Sequence, residues 1–173
     1  MKSAALLAIL LLAFAAIADE GGQSVHVSLD DIVEAGNVVP VDGITSSGQP
    51  DAKSLKVFAD SGYAVVIDMR GPDEDRGMDD FPGAVAATGM EYVVFPVVGK
   101  DAISFETAKE LDELLLGIDG PVLMHCGSGN RVGAVLALRE SLNGADDEAA
   151  IAYGRDAGMT RLEPLVREVL VRD

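Results

Sequence analysis

Residues 121–142 read PVLMHCGSGNRVGAVLALRESL, and the architecture of the chain can be built outward from them. The short apolar run at 122–124 is typical of a strand buried on both faces of a sheet. Apolar side chains then recur at helical spacing from Arg131 to Leu142. A strand that passes into a helix through a glycine-containing loop indicates an α/β fold, in which ligands bind at the carboxyl ends of the strands.

Strand and helix patterns alternate through the rest of the chain. Tyr63 to Ile67 and Tyr92 to Phe95 are continuous apolar runs, which predict two further strands buried on both faces. Helical patterns lie between these strands, so we expect an α/β domain with a central, largely parallel sheet flanked by helices. Weaker patterns predict an edge strand at 25–29 and two final helices, at 146–157 and from Thr160 onward, where Thr160 and Glu163 form a capping box.

The first 18 residues predict a secretory signal peptide. A cationic start at Lys2 precedes an unbroken apolar run from Ala4 to Ala18, which ends in small residues typical of a cleavage site. A membrane anchor is the alternative, but the run is shorter than the roughly 20 residues that a spanning helix needs. We expect cleavage after Ala18 and export to the periplasm or the medium. The chain then divides into a signal peptide at 1–18, a lead-in with an edge strand at 19–43, and one main domain at 44–173.

Composition excludes several classes of function. The chain has 13 Lys plus Arg against 29 Asp plus Glu, a formal charge of −16, so nucleic acid and anionic lipid surfaces are not expected partners. No membrane contact is expected once the signal peptide is removed. One Cys and two His are too few for a zinc site or for a disulfide within the chain. The sequence leaves the oligomeric state open.

The loop after the 122–124 strand carries residues suited to anion chemistry. Gly127 and Gly129 allow the backbone to fold into a concave cradle whose N–H groups point inward, and the following helix adds the positive end of its dipole. Such a cradle binds a tetrahedral oxyanion, which Arg131 can clamp with two hydrogen bonds. The same positive potential favours the thiolate form of Cys126, the only cysteine of the chain.

Two other interpretations of this loop stay open. Gly127, Gly129 and Gly133 could belong to a dinucleotide-binding fingerprint, although their spacing departs from G-x-G-x-x-G and the loop lies late in the chain. Cys126 could also be a buried structural cysteine beside an ordinary turn. The combination of a histidine, a cysteine, two glycines and Arg131 within seven residues favours the anion-binding interpretation.

Four segments resemble, in chain order, the cysteine-dependent phosphatases of the protein tyrosine phosphatase superfamily, and most closely the bacterial beta-lactamase-hydrolase-like phosphatase branch. They are Ser47 to Pro50, Ile67 to Arg70, Tyr92 to Pro96 and His125 to Arg131. The resemblance covers about residues 44–142. It implies a protein-tyrosine-phosphatase-like fold and a hydrolase, of tyrosine or dual-specificity type, that acts on phosphate monoesters, and the predicted signal peptide indicates that this hydrolase is exported. The substrate would be a phosphorylated small molecule or a phosphoprotein, and no metal or cofactor is implied.

The resemblance also implies a role for each residue of the loop. Cys126 would attack phosphorus and form a phosphocysteine intermediate, while Arg131 would hold the phosphoryl oxygens. His125 would help to keep the thiol ionised. The phosphate-binding cradle would be the backbone of Gly127, Ser128, Gly129 and Asn130.

The family further uses an aspartate as general acid, on a loop a few tens of residues before the cysteine. Asp101 is the only aspartate at 81–111 and follows the Tyr92–Phe95 strand, which makes it the candidate. A solvated loop charge, or a cap for the next helix, is the alternative for Asp101. Asp68 is the fallback acid.

An acidic loop at 71–80 contains four aspartates and Glu74. It lacks the ligand spacing of a calcium-binding loop. We therefore expect its carboxylates to be solvated.

Two departures from the superfamily pattern keep other functions open. Four residues separate Cys126 from Arg131, one fewer than in the superfamily signature. This shorter loop resembles that of rhodanese-like sulfurtransferases, so sulfur transfer through a Cys126 persulfide is the alternative reaction. Val132 stands where related phosphatases place a hydroxyl that steadies the departing thiolate. A non-catalytic, phosphate-binding pseudophosphatase is therefore a third interpretation.

Overall fold

One parallel sheet organises the fold. The computed structural model describes residues 25–40 and 43–172, so the predicted signal peptide lies outside the described residues. Within them, five strands pair in parallel in the order β1-β2-β5-β3-β4. The strands are β1 (Val25–His26), β2 (Ile44–Ser47), β3 (Val65–Asp68), β4 (Glu91–Val94) and β5 (Val122–His125). The predicted α/β fold with a parallel sheet is confirmed.

Seven helices within the described part of the chain cover both faces of the sheet. Several begin with a side chain that accepts a free backbone N–H, such as Asp51 at α2, Asp80 at α3 and Ser104 at α4. The helices are α1 (Leu29–Ala35), α2 (Ala52–Asp60), α3 (Phe81–Ala87), α4 (Phe105–Leu115), α5 (Asn130–Leu142), α6 (Asp147–Asp156) and α7 (Glu163–Arg172).

Strand β5 lies in the middle of the sheet and separates two apolar cores. Leu123 points to one side, where it belongs to a core with Phe58 of α2 and Phe81 of α3. Val122 and Met124 point to the other side, which α4, α5 and α6 cover. Because strand side chains alternate between the two faces, a strand with a core on both sides is apolar throughout.

Helix α5 starts just beyond the carboxyl end of β5 and is buried along most of its length. Its residues from Val132 to Leu138 are all buried. Gly133 allows α6 to approach closely, because a Cβ at this position would collide with the backbone of Gly154 and Met159. The start of α5, which carries the predicted cradle, is therefore held by packing against both the sheet and α6.

Strand β4 is the edge of the sheet, and the prediction of a strand from Tyr92 to Phe95 that is buried on both faces is wrong. Glu91 and Val94 are exposed, while Tyr92 and Val93 are half-buried. The physical reason is the topology: β4 pairs only with β3 among the described strands, so one side of it has no neighbour.

Both ends of the described chain also differ from the sequence pattern. The strand predicted at 25–29 is reduced to β1, because Ser28 caps α1, a helix that no pattern indicated. At the other end, α7 begins at Glu163, and the Thr160 hydroxyl donates to Asn130 instead of completing a capping box. No helix in the described ranges has the length and apolar character needed to cross a membrane.

Candidate active site

Cys126 lies in a cavity at the carboxyl end of β5. The residue is only 1% exposed, so its thiol forms the bottom of the cavity rather than its rim. The cavity has a volume of about 330 Å³ and is lined by Cys126, Gly127, Ser128, Asn130, Arg131 and Arg161. The structure thus brings together the predicted thiol, cradle and arginine at the edge of the sheet where α/β folds bind ligands. Arg161 is an addition that no sequence pattern indicated.

The loop that leads into α5 has the backbone shape of an anion cradle. Gly129 has φ = +78°, a left-handed conformation that favours glycine, and its carbonyl accepts a helical hydrogen bond from Gly133. The first N–H groups of the helix, from Asn130 to Val132, have no acceptor inside it and lie at the positive end of its dipole. Gly48 pairs with Ser128 and supports the loop from the side of β2. The backbone of this loop can therefore bind an anion.

Arg131 is oriented by one carboxylate and two carbonyl groups. Its Nη1 and Nη2 atoms donate to the two oxygens of Glu74, over 2.6 and 2.7 Å. Nη1 also donates to the carbonyl oxygens of Met69 and Val97, at 3.3 and 3.2 Å. A guanidinium has five N–H groups, so Nε–H and one Nη2–H take no part in these bonds, and the guanidinium also interacts with the Cys126 side chain at the bottom of the cavity. This second edge of the guanidinium is available to an oxyanion.

The contact between Arg131 and Glu74 is ionic. Hydrogen bonds from Arg131, together with one from the Gly71 N–H, lower the pKa of Glu74 to about 2. The same carboxylate raises the pKa of Arg131. Arg70 also approaches Glu74, with 3.5 Å between its Nε atom and a carboxylate oxygen. Glu74 is therefore ionised near neutral pH, and it fixes the plane of the Arg131 guanidinium.

The prediction that the carboxylates of the 71–80 loop are solvated is wrong for Glu74. No spacing in this loop distinguishes Glu74 from the neighbouring aspartates, but its longer side chain reaches Arg131. Within the described ranges, no three His, Cys, Asp or Glu side chains are grouped so that they could hold a metal ion.

Asp68, the fallback acid, is buried at the end of β3, and both of its carboxylate oxygens accept hydrogen bonds from the protein. One oxygen accepts the N–H of Arg70 at 2.8 Å. The other accepts Arg76 Nε at 2.6 Å and the Tyr92 hydroxyl at 2.7 Å. Asp68 does not line the Cys126 cavity. It anchors the start of the 71–80 loop, and its role as fallback acid stays a prediction.

His125 is completely buried beneath the cradle. Burial lowers its pKa to about 4, although nearby Asp68 acts in the opposite direction, with 3.7 Å between His125 Nε2 and a carboxylate oxygen. The ring packs against Phe81, with 5.1 Å between the ring centroids. At neutral pH His125 is uncharged, so its predicted help in ionising the thiol stays a prediction and cannot come from an imidazolium charge.

Asp101 is exposed on the loop between β4 and α4. It is not the cap of α4, because Ser104 takes that position and accepts the N–H of Thr107, so the capping alternative is wrong. Asp101 does not line the cavity. The loop itself reaches the site, since the carbonyl of Val97 accepts from Arg131. The role of Asp101 as acid stays a prediction.

The segment between α6 and α7 is tied to the cradle by a buried amide. Asn130 is 8% exposed, and its Oδ1 atom accepts the Thr160 N–H at 2.7 Å, the Thr160 hydroxyl at 3.2 Å and the Leu162 N–H at 3.3 Å. These bonds hold residues 160–162 against the start of α5. Arg161, between the two donating residues, is thereby brought to the cavity.

The parallel sheet, with the Cys126 cradle at the edge formed by its central strand, gives the chain a protein-tyrosine-phosphatase-like fold. More narrowly, the chain belongs to the family described as beta-lactamase hydrolase-like protein, phosphatase-like domain, whose family model matches residues 37–145. The whole loop from Cys126 to Arg131 lies inside the match.

Relatives match the chain in sequence, and solved structures match its fold. A beta-lactamase hydrolase-like protein from Xylella fastidiosa is 32% identical over 120 residues, which are 65% of this chain and 28% of that protein. The chain thus spans less than a third of the length of this relative. A putative phosphatase from Neisseria meningitidis matches 74% of this chain and 92% of its own, at 21% identity and a TM-score of 0.64. TpbA from P. aeruginosa, solved in complex with phosphotyrosine, matches 71% and 75%, at 19% identity and a TM-score of 0.50.

Proposed function

We propose that this chain is an exported cysteine-dependent phosphatase that hydrolyses phosphate monoesters through a phosphocysteine intermediate. The observation that carries the proposal is the shared cavity, in which the Cys126 thiol, the loop amides and the free edge of Arg131 meet. Attack on phosphorus requires a nucleophile and donors that bind the phosphoryl oxygens at one place, and this cavity offers both.

The donors are oriented before the substrate arrives. Glu74 fixes the guanidinium of Arg131 through two hydrogen bonds, and the packing of α5 fixes the loop amides. Such preorganised donors need little rearrangement when charge moves between oxygen atoms during the reaction. The loop amides at the positive end of the α5 dipole also provide a local positive site in a chain whose formal charge is −16.

In the first step, the thiolate of Cys126 attacks phosphorus and forms the S–P bond. The P–O bond to the leaving group breaks, and the leaving oxygen keeps the electron pair. We assign to Asp101 the proton that this oxygen takes up, because Asp101 lies on the loop whose Val97 carbonyl contacts Arg131. The products of this step are an alcohol or phenol and a phosphocysteine.

In the second step, water attacks the phosphorus of the phosphocysteine. The Asp101 carboxylate takes one proton from this water, the S–P bond breaks, and the Cys126 thiolate is restored. Inorganic phosphate leaves the cavity. The buried Val132 offers no hydroxyl to the departing thiolate, so we expect this second step to limit turnover.

An aryl phosphate is the substrate class with which to begin. TpbA, whose fold this chain shares, was solved with phosphotyrosine. Phosphotyrosine in a protein and small aryl phosphates present the same reacting group, so either fits the proposal. Export is tested by the mature N-terminus: a chain that begins at Asp19 supports it, and a cytosolic chain that retains residues 1–18 contradicts it.

The activity is tested with an aryl phosphate and vanadate. The wild-type protein should hydrolyse the ester and be inhibited by vanadate, and Cys126→Ser should abolish hydrolysis while vanadate still raises the melting temperature. Vanadate binding without turnover would instead indicate the pseudophosphatase. A gain of one sulfur atom at Cys126 after treatment with thiosulfate, with no phosphate release, would indicate the sulfurtransferase.

A further inference from the structure

Arg161 stands apart from the other arginines of this acidic protein. Each of the other arginines whose side chain is described holds a carboxylate within 3.5 Å. Arg161 makes no ion pair or hydrogen bond to any residue in the described ranges, and it lines the Cys126 cavity. The arginines that are paired are Arg70, Arg76, Arg131, Arg139, Arg155 and Arg167.

The position of Arg161 is built into the fold. The buried Oδ1 atom of Asn130 accepts three hydrogen bonds from Thr160 and Leu162, the two neighbours of Arg161. Asn130 is also the first residue of α5 and lines the same cavity. One side chain therefore links the cradle to the backbone that carries Arg161. The tether fixes the backbone and leaves the guanidinium free.

We propose that Arg161 binds a second anionic group of the substrate, a carboxylate or a phosphate close to the phosphoryl group that is hydrolysed. The inference rests on the proposed function in one respect, because the first anion in the cavity is the phosphoryl group bound at Cys126. The substrate class becomes narrower: a phosphate monoester with two adjacent anionic groups.

The size of the cavity and the number of its donors support a second group. A water molecule occupies about 30 Å³ in the liquid, so a cavity of about 330 Å³ has room for a phosphoryl group together with further atoms of the substrate. The loop amides and the free edge of Arg131 already supply donors for the phosphoryl oxygens. An unpaired guanidinium beside them is left to meet another anion.

The experiment compares phenyl phosphate with its ortho-, meta- and para-carboxylated analogues at low salt. For the wild-type protein we expect kcat/KM to be higher for at least one carboxylated isomer, by roughly fivefold, the upper end for an exposed ion pair. Arg161→Gln should bring this ratio close to one. Lys109→Gln removes one positive charge from an exposed position outside the cavity and should keep the wild-type ratio.

Three results would overturn the inference. In the first, the wild-type protein shows no preference for any carboxylated isomer. In the second, Arg161→Gln lowers kcat/KM by the same factor for phenyl phosphate and for its carboxylated analogues. In the third, Lys109→Gln lowers the preference for the carboxylated isomer as much as Arg161→Gln does. In parallel, the dissociation constants of phenyl phosphate and of its carboxylated analogues are measured on Cys126→Ser, with and without Arg161→Gln, and their ratio gives the preference in binding alone. If the wild-type protein hydrolyses none of the esters, the proposed function fails, whereas the binding ratio still decides the role of Arg161.

Discussion

Arg131 and Arg161 line the same cavity but are held in different ways. Arg131 is fixed through its guanidinium, which Glu74 grips with two hydrogen bonds. Arg161 is fixed through its backbone, which Asn130 holds, and its side chain has no partner in the described part of the chain. The first arrangement sets geometry and neutralises charge. The second leaves the positive charge of the Arg161 guanidinium unpaired and lets its side chain adjust to a ligand.

The difference separates two tasks of a phosphatase-like site. Stabilising a reacting phosphoryl group demands a donor edge in one orientation, and a carboxylate behind the guanidinium provides it. Recognising a further anion demands net positive charge, which a neutralised arginine supplies poorly. We infer that Arg131 acts in the reaction and that Arg161 acts in the choice of substrate.

The largest expected effect concerns Asp101, which contacts neither Arg131 nor Arg161. If Asp101 is the general acid, Asp101→Asn should lower kcat/KM for an alkyl phosphate by about 100- to 10,000-fold, because kcat/KM reports the step in which the leaving group departs and general acid catalysis typically contributes this much. The loss should be far smaller for p-nitrophenyl phosphate, whose leaving group needs little protonation. Asp119→Asn, at another exposed loop position, is the matched control. Equal losses for both substrates would remove Asp101 from this role.

A second prediction concerns the buried layer beneath the cradle. Burial lowers the pKa of His125 from 6.5 to about 4, so the unfolded chain binds a proton below pH 6.5 that the folded chain refuses. The free energy of unfolding should therefore fall by about 3 kcal/mol as the pH decreases from 6.5 to 4, since each pKa unit corresponds to 1.36 kcal/mol. Urea unfolding followed by circular dichroism measures it.

His125→Gln should flatten this pH dependence, provided that the variant folds. His26, whose pKa burial also lowers, acts in the same direction, so His26→Gln must retain the His125 slope. Glu74 has a depressed pKa of about 2 and contributes stability that is lost only below its ordinary pKa of 4.5, at the lower end of this window and beyond it. A wild-type slope that His125→Gln does not change would show that another group is responsible.

The third prediction concerns a variant in which Arg131 loses the carboxylate of Glu74 and so has no ionic partner, as is the case for Arg161. In Glu74→Gln the guanidinium loses its ionic partner, and kcat should fall roughly 10- to 100-fold, because small displacements of a positioning group have effects of this size. Asp73→Asn, an exposed neighbour, should leave kcat unchanged. An increase in activity for Glu74→Gln would mean the reverse of our account, namely that Glu74 blocks Arg131.

The smallest effect is expected at the tether of Arg161. Asn130→Ala removes the acceptor of three hydrogen bonds and should lower the preference for a carboxylated ester by up to about fivefold. In the double variant with Arg161→Gln the two effects should not add, because both act through one contact. Asn143→Ala, at the other end of α5, is the control. Additive losses would separate Asn130 from Arg161.

The sequence was sufficient to predict the sheet and the cradle because both depend on local patterns. The apolar run of β5, the glycines after it and the start of α5 lie within about twenty consecutive residues. Cys126 and Arg131 share this short segment, so the fold has little freedom to separate them. The burial of β4 was predicted wrongly, because the position of a strand in the sheet is a property of the topology.

Glu74 and Arg161 could not be placed from the sequence, because their contacts join distant parts of the chain. Arg131 and Glu74 are 57 positions apart, and Asn130 and Thr160 are 30 apart. No periodicity or motif relates residues at such distances. Glu74 lies in a loop with four other carboxylates, and this composition favoured the wrong prediction that its side chain is solvated.

The central claim is that hydrolysis proceeds through a covalent phosphocysteine intermediate at Cys126. The direct measurement is rapid acid quenching during hydrolysis of an aryl phosphate, followed by mass spectrometry of the peptide that contains Cys126. We predict a phosphoryl group on the Cys126 sulfur of the wild-type protein and none in Cys126→Ser, which should also release no phosphate. Hydrolysis that continues in Cys126→Ser, or turnover by a wild-type protein that carries no phosphoryl group at Cys126, would contradict the account.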